Sequence, residues 1–347
     1  MKNIIFPILI LFCLLLFEGC KAKNILDNEK TGVDSCDYDK AKFIADYEIA
    51  TEKTLRSIPR EYIDKARTTL HVAYQHTSHG THVSRGLSGL NDYKDGDDVL
   101  FGLSYIDDKP GGVPVPIPGK LDFRDYALVD YAAEGIDASD LSRVETAFIQ
   151  ATRNYLDDPQ NAVINVVMWS WCNIAGHKPV ENYIPGMDLL IAEYGVNGSK
   201  IGTGEGQREN PVTFIFMTGH PNAGDNVGDG KPKNQADIIV KNCIDKKQFC
   251  LDYYSIDSHD MDGNYWEDVG DNGNSEAYGG NFYKDWQNAH QLGVDWFENK
   301  TKPGGEIKYG AHNDQHITAN RKAYAMWWIL ARIAGWDGVT TTAQESK

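Results

Sequence analysis

Residues 69–82 read Thr-Leu-His-Val-Ala-Tyr-Gln-His-Thr-Ser-His-Gly-Thr-His, with a single serine, Ser78, among His76, His79 and His82. The alternating apolar run over 70–75 predicts a strand. Val83, Leu87 and Leu90, at helical spacing, predict a helix after it. Ser78 then falls on the turn between them, where a hydroxyl can stand clear and the orphan N–H groups of the helix start lie beside it. Those groups can hold an oxyanion, which suits a nucleophile. The plainer alternative is a helix cap.

A serine nucleophile needs a neighbouring base. His316 is the first candidate, because it precedes the strongly helical run 320–335; His76, His79 and His220 are rivals. Asp314 or Asp257 would orient the base and stabilise its imidazolium. Gly135 and Asn173 each follow a strand-like run and would complete the oxyanion hole. One such donor is typically worth ~3–4 kcal/mol of barrier. Both residue types also serve ordinary turns. Trp169 and Trp171 lie two apart, so they could share a face and offer a platform to a sugar ring, or fill the core. His76, His79, His220, Trp169 and Trp171 are therefore the expected substrate contacts. A metal hydrolase is an alternative, with His76, His79 and His82 at three-residue spacing completed by His220 and Asp260 or Asp262. The oxygen-rich stretch 257–264 lacks EF-hand spacing and reads as a solvated loop.

Strand-like patterns at 70–75, 126–133, 162–169, 212–218 and 251–257 alternate with helix-like ones at 141–156, 183–194, 236–243 and 320–335. This alternation predicts an α/β fold, a flavodoxin-like three-layer α/β/α sandwich with a mainly parallel sheet. Stretches 91–122 and 258–310, rich in Gly and Asn or Pro, read as long loop insertions that form a lid or rim. Ligands of open parallel sheets bind beyond the carboxyl ends of the strands. His76, Ser78, Asn173 and His220 all follow predicted strands.

The order of these blocks resembles the SGNH (GDSL-type) hydrolase superfamily over roughly residues 68–335. His76-Thr77-Ser78 stands where that family has Gly-Asp-Ser. Gly135 matches the glycine after the second strand, Asn173 the asparagine after the third, and His316 the histidine before the last helix. The resemblance implies acyl transfer to Ser78 with His316 as base and Gly135 and Asn173 in the oxyanion hole. The chain departs from the pattern in lacking the Gly-Asp before the serine. It also has Asn313 three before His316, with Asp314 two before it. The stretch Arg332-Ile333-Ala334-Gly335-Trp336-Asp337-Gly338 and the run Trp169-Ser170-Trp171-Cys172 suggest a divergent branch of exported bacterial lipoproteins.

The first residues point the same way. A short basic start, an apolar run over 4–17 and Gly19-Cys20 read as a lipoprotein-type signal over 1–20, with Cys20 becoming the lipidated terminus. Residues 21–45 read as a flexible spacer and 46–347 as the hydrolase domain. The membrane would be reached through the lipid only, on a periplasmic or cell-surface face. A net charge of −16 without a long basic run excludes a nucleic-acid partner. Cys243 and Cys250 are close enough in sequence for a local disulfide. The expected function is an exported serine ester hydrolase without cofactor or metal, a carbohydrate esterase or deacetylase acting on a polysaccharide or another acylated small molecule. A non-catalytic glycan-binding lipoprotein on the same fold is the alternative outside catalysis.

Overall fold

The computed structural model describes residues 42–107, 115–228 and 231–338. The expected signal segment, Cys20 and residues 21–41 of the spacer lie outside the described residues. No described helix is long and apolar enough to cross a membrane.

Seven strands form one parallel sheet: β1 (Ile44–Ala45), β2 (His71–Gln75), β3 (Leu103–Asp107), β4 (Leu121–Asp125), β5 (Val166–Trp169), β6 (Thr213–Met217) and β7 (Cys250–Leu251). Their spatial order is β1-β7-β6-β5-β2-β4-β3, and every pair is parallel. With the edge strands β1 and β3 set aside, this is the flavodoxin-like order, and the three-layer α/β/α expectation holds. The connections leave β2 and β5 in opposite directions, so the switch point lies between those two neighbours.

The helices bounded within the described residues are α1 (Glu52–Ser57), α2 (Arg60–Thr69), α3 (Thr81–Leu90), α4 (Asp97–Leu100), α5 (Ala147–Asp157), α6 (Ile184–Tyr194), α7 (Lys231–Lys246), α8 (Tyr253–Ser258), α9 (Phe282–Ala289) and α10 (Ile317–Ile333). Side chains alternate across a strand with period two, and the two core layers follow that rule. Val72, Tyr74, Val166, Met168, Ile215 and Met217 pack under α2, α3 and α10. Ala73, Val167, Trp169, Phe214 and Phe216 pack under α5, α6 and α7. A Cβ on Gly86 would strike the Ala319 carbonyl, so this glycine sets how closely α3 approaches α10.

Several sequence expectations change, beginning with 91–122, which is not a loop insertion but contains α4 and β3. Residues 126–133 are not a strand; the second inner strand is β4, and a 3-10 turn occupies Val129–Tyr131. Apolar periodicity overlooked β4 because it carries Asp122, Arg124 and Asp125 in full burial, each with a polar partner: Arg124 binds Asp122, His71 binds Asp122, and His76 binds Asp125. Residues 251–257 are mostly helix: β7 ends at Leu251, and the Asp252 side chain accepts from Ser255 N–H to cap α8. The end of the expected spacer also belongs to the fold, since Ile44 and Ala45 pair with Cys250 and Leu251. The insertion 258–310 contains α9, a two-stranded hairpin at Asn274–Ser275 and Gly280–Asn281, and a small core in which Val269, Phe282 and Tyr283 pack with Ile317 of α10. Cys243 and Cys250 are buried neighbours present as thiols.

Candidate active site

The chain leaves β2 through His76 and Thr77 and enters a 3-10 turn at Ser78–Gly80. Ser78 has φ +41°, a backbone region that an L-residue adopts at a cost and that recurs at functional turns. The Thr77 hydroxyl donates to the buried Asp140 carboxylate, and the Thr81 hydroxyl donates to Ser78 O at 2.6 Å, so the turn is held on both sides. The first turn leaves the N–H groups of Ser78 and His79 without intrahelical acceptors. Ser78 therefore lies where a nucleophile was expected, at the carboxyl end of β2 and beside the switch point.

Four other segments converge on this turn. Cys172 follows β5, His220 follows β6, Asp271 comes from the insertion, and His312 from the loop before α10. Cys172 Sγ lies 4.0 Å from His79 Nδ1 and also meets the Ser78 hydroxyl. On its other nitrogen, His79 Nε2 lies 3.1 Å from Asp271 Oδ2. The His79 ring is sandwiched, with His220 at 3.8 Å and His312 at 4.5 Å between ring centroids. His312 has φ +65° and makes no protein hydrogen bond among the described residues. One ligand-type atom each from His79, Cys172 and His312 lie within 4.8 Å of one another, as do those from His79, His220 and Asp271.

The electrostatics follow from this packing. The His79 hydrogen bond, more than any other contact, lowers the Cys172 pKa; burial opposes it, and Ser78 adds to it. Burial disfavours a charged His79, but its bond to Asp271 and then the Cys172 contact raise its pKa above the ordinary imidazole value. Asp271 is likewise disfavoured as an anion by burial, yet its bond to His79 lowers its pKa overall. His220 is pushed down to about 4 by burial, with the His79 charge adding to the effect. Its Nδ1–H donates to Pro221 O at 2.6 Å, which leaves Nε2 as a bare lone pair.

The remaining expected residues are placed differently. His316, the N-cap residue of α10, is buried between the rings of Tyr309 and Trp296, and its Nδ1 accepts Asn299 N–H at 3.0 Å. That bond puts the proton on Nε2, and no contact among the described residues joins His316 to Ser78. Burial alone pushes its pKa down to about 4. Asp314 is exposed and accepts from Gln315 Nε2 at 2.6 Å. Gly135 (φ +76°) lies in an exposed turn; the residue that directly follows β4 is Tyr126 (φ +55°), whose ring packs on His76. Asn173 is exposed beside Cys172, and its Oδ1 accepts Ala175 N–H at 2.9 Å.

His76 is wholly buried, with Nε2 at 2.8 Å from Asp125 Oδ1, and makes no substrate-facing surface. Trp169 and Trp171 are core residues, not a platform: their indole N–H groups donate to Thr152 Oγ1 and Met217 O. His82 is also structural: Tyr253 OH lies 2.7 Å from its Nδ1, and its Nε2–H donates to Ala311 O at 3.0 Å. His76, His79 and His82 thus do not share one metal. Asp257 is bound to Lys322 inside the core. Asp260 accepts from Asn264 and Trp266, which closes the 257–264 loop on itself.

Sequence reasoning missed Cys172 and Asp271 as partners of His79, and His312 as the histidine of the last loop. Cys172 and His312 had a signal, since both flank elements already singled out. Asp271 had none, as nothing local marks one acidic residue of a long insertion. Beside this cluster opens a groove of about 790 Å³ lined by Asn272, Asn281, Lys284, Tyr309, His312 and Asn313, among others. Comparisons with protein-family models, with curated proteins and with solved structures find no match for this chain.

Proposed function

We propose that the protein is an ester hydrolase that acts by acyl transfer to Ser78 and takes acylated carbohydrate as substrate. The observation that carries this reading is Ser78 held at φ +41° on the turn after β2, with Cys172 against its hydroxyl and with His79, next in the chain, bound to Asp271 and stacked on His312. His312, from the loop before α10, takes the place of His316 as general base. Ser78 Oγ attacks the ester carbonyl carbon while its proton passes to His312. The N–H groups of Ser78 and His79 hold the oxyanion. Collapse expels the alcohol, which takes the proton from His312. Water then attacks the acyl-serine and loses a proton to His312; collapse breaks the acyl–Oγ bond, Ser78 Oγ takes that proton back from His312, and the carboxylic acid leaves. The groove supports a carbohydrate substrate, because carboxamides, Lys284 and Tyr309 offer both donors and acceptors to hydroxyl groups. Export and tethering through Cys20 fit such a substrate.

His79, with Cys172 at Nδ1 and Asp271 at Nε2, favours a second reading, in which the thiol is the acyl acceptor. One experiment separates the two. The protein without residues 1–20 is assayed on p-nitrophenyl acetate and acetylated xylan as wild type, Ser78→Ala and Cys172→Ser, with fluorophosphonate labelling alongside. Serine chemistry requires labelling at Ser78 and loss of turnover in Ser78→Ala. Turnover that survives Ser78→Ala and is lost in Cys172→Ser assigns the thiol. Turnover absent from the wild type sinks both.

A further inference from the structure

We infer that His79, His220 and Asp271 form a binding site for one late divalent transition-metal ion, zinc above all. Their ligand atoms already lie within 4.8 Å of one another. Zinc held tetrahedrally at about 2.0–2.2 Å from nitrogen and oxygen keeps neighbouring ligand atoms about 3.4 Å apart. His79 Nε2 and Asp271 Oδ2, at 3.1 Å, are close to that spacing, and the remaining contraction is within the reach of side-chain rotation. His220 is prepared for the task. Its Nδ1–H is engaged by Pro221 O, the backbone partner that typically orients a ligating imidazole, and its Nε2 lone pair is left over. His79 and His220 are buried and Asp271 is partly buried, so the donors cannot easily be satisfied by bulk water. Two imidazoles and one carboxylate are a donor set that zinc takes in hydrolytic sites, whereas calcium and magnesium prefer oxygen ligands.

The site draws on side chains from three separate segments: the turn after β2, the loop after β6, and the insertion. An ion there would tie the insertion to the carboxyl edge of the sheet. It stands on the donor geometry and does not depend on the ester-hydrolase reading. Ser78 and His312, which carry that reading, are not ligands in it.

The test is a cobalt titration of the chelator-treated, dialysed protein, followed by visible d–d absorption and by competition with zinc. His220→Asn, Asp271→Asn and Cys172→Ser are run beside the wild type, with circular dichroism to show that each is folded. The expected result is one equivalent of cobalt displaced by zinc. Affinity should fall by more than about 100-fold in His220→Asn and Asp271→Asn, beyond the loss of a mere supporting residue, and be largely kept in Cys172→Ser. A wild type that binds no cobalt overturns the inference. So does binding that survives both ligand variants, or that depends on Cys172 and not on His220 and Asp271. Metal binding without esterase turnover would count against the proposed function alone. Turnover without metal binding would count against this site alone.

Discussion

Two histidines four residues apart, His312 and His316, show how little the residue type says about its role. His316 is sealed between Trp296 and Tyr309, with Nδ1 bound to a backbone N–H. His312 is exposed, stacked on His79 at the groove. His312→Ala should lower kcat on p-nitrophenyl acetate by about 10²–10⁴-fold, the usual contribution of a general base. His316→Asn should change it far less. His316 should instead appear in acid stability. Its pKa is about 4 in the fold against 6.5 unfolded, so the unfolded chain binds the extra proton between those values. The stability it contributes is complete above pH 6.5 and is lost as pH falls towards 4. Urea midpoints of His316→Asn should therefore decline less steeply than wild type in that window; an unchanged slope would sink the assignment. Gly310 supplies a second test at this scale. A Cβ there would enter the His82 ring, which also holds Ala311 O. Gly310→Ala should displace the loop that carries His312 and cost roughly 10²-fold in kcat, the penalty of a ~1 Å misplacement, with near-normal folding.

At the scale of elements, α10 explains both a success and a surprise. Its apolar side was legible because Ala323, Met326, Trp327 and Leu330 repeat at helical spacing, and all are buried. Yet Lys322 on the same helix is buried too, paired with Asp257 at 2.5 Å beside Thr318 and Tyr283 and lying over the Tyr253 ring. Burial lowers the Lys322 pKa to about 8 against the opposing pull of Asp257. Lys322→Met removes one partner and leaves a buried carboxylate, so it should destabilise the protein by about 3–5 kcal/mol in urea melts. A loss below ~1 kcal/mol would mean the pair is dispensable. Strand β4 makes the same point from the other side. Its charges look solvent-facing, and neighbours from β2 and its end, from β3 and from the flank of α5 make their burial tolerable.

For the whole molecule, the sheet decides where chemistry can occur. Reversal of strand order between β2 and β5 opens the crevice in which Ser78 and Cys172 meet. The amino-terminal edge of the domain is also decided at this level. Ile44 and Ala45 are buried and pair with β7, although their surroundings in sequence read as spacer. A chain beginning at residue 42 keeps β1 whole and is the reference. One beginning at residue 46 should lose about 1.5–3 kcal/mol, the burial of Ile44 alone, with a lower Tm. Equal Tm values would show that β1 adds nothing.

Local pattern by itself determined β2, β5 and β6 and the helices between and after them, the parallel three-layer class and the placement of Ser78 on its turn. Each of these depends on periodicity or on residues adjacent in the chain. Tertiary structure alone decided which carboxylate meets His79, which of the last-loop histidines reaches the groove, and that Trp169 and Trp171 are core. Those outcomes depend on segments as far apart as β2 and the insertion. Contact between them is set by packing and by the pairing of buried charges, neither of which leaves a mark in any short stretch of sequence.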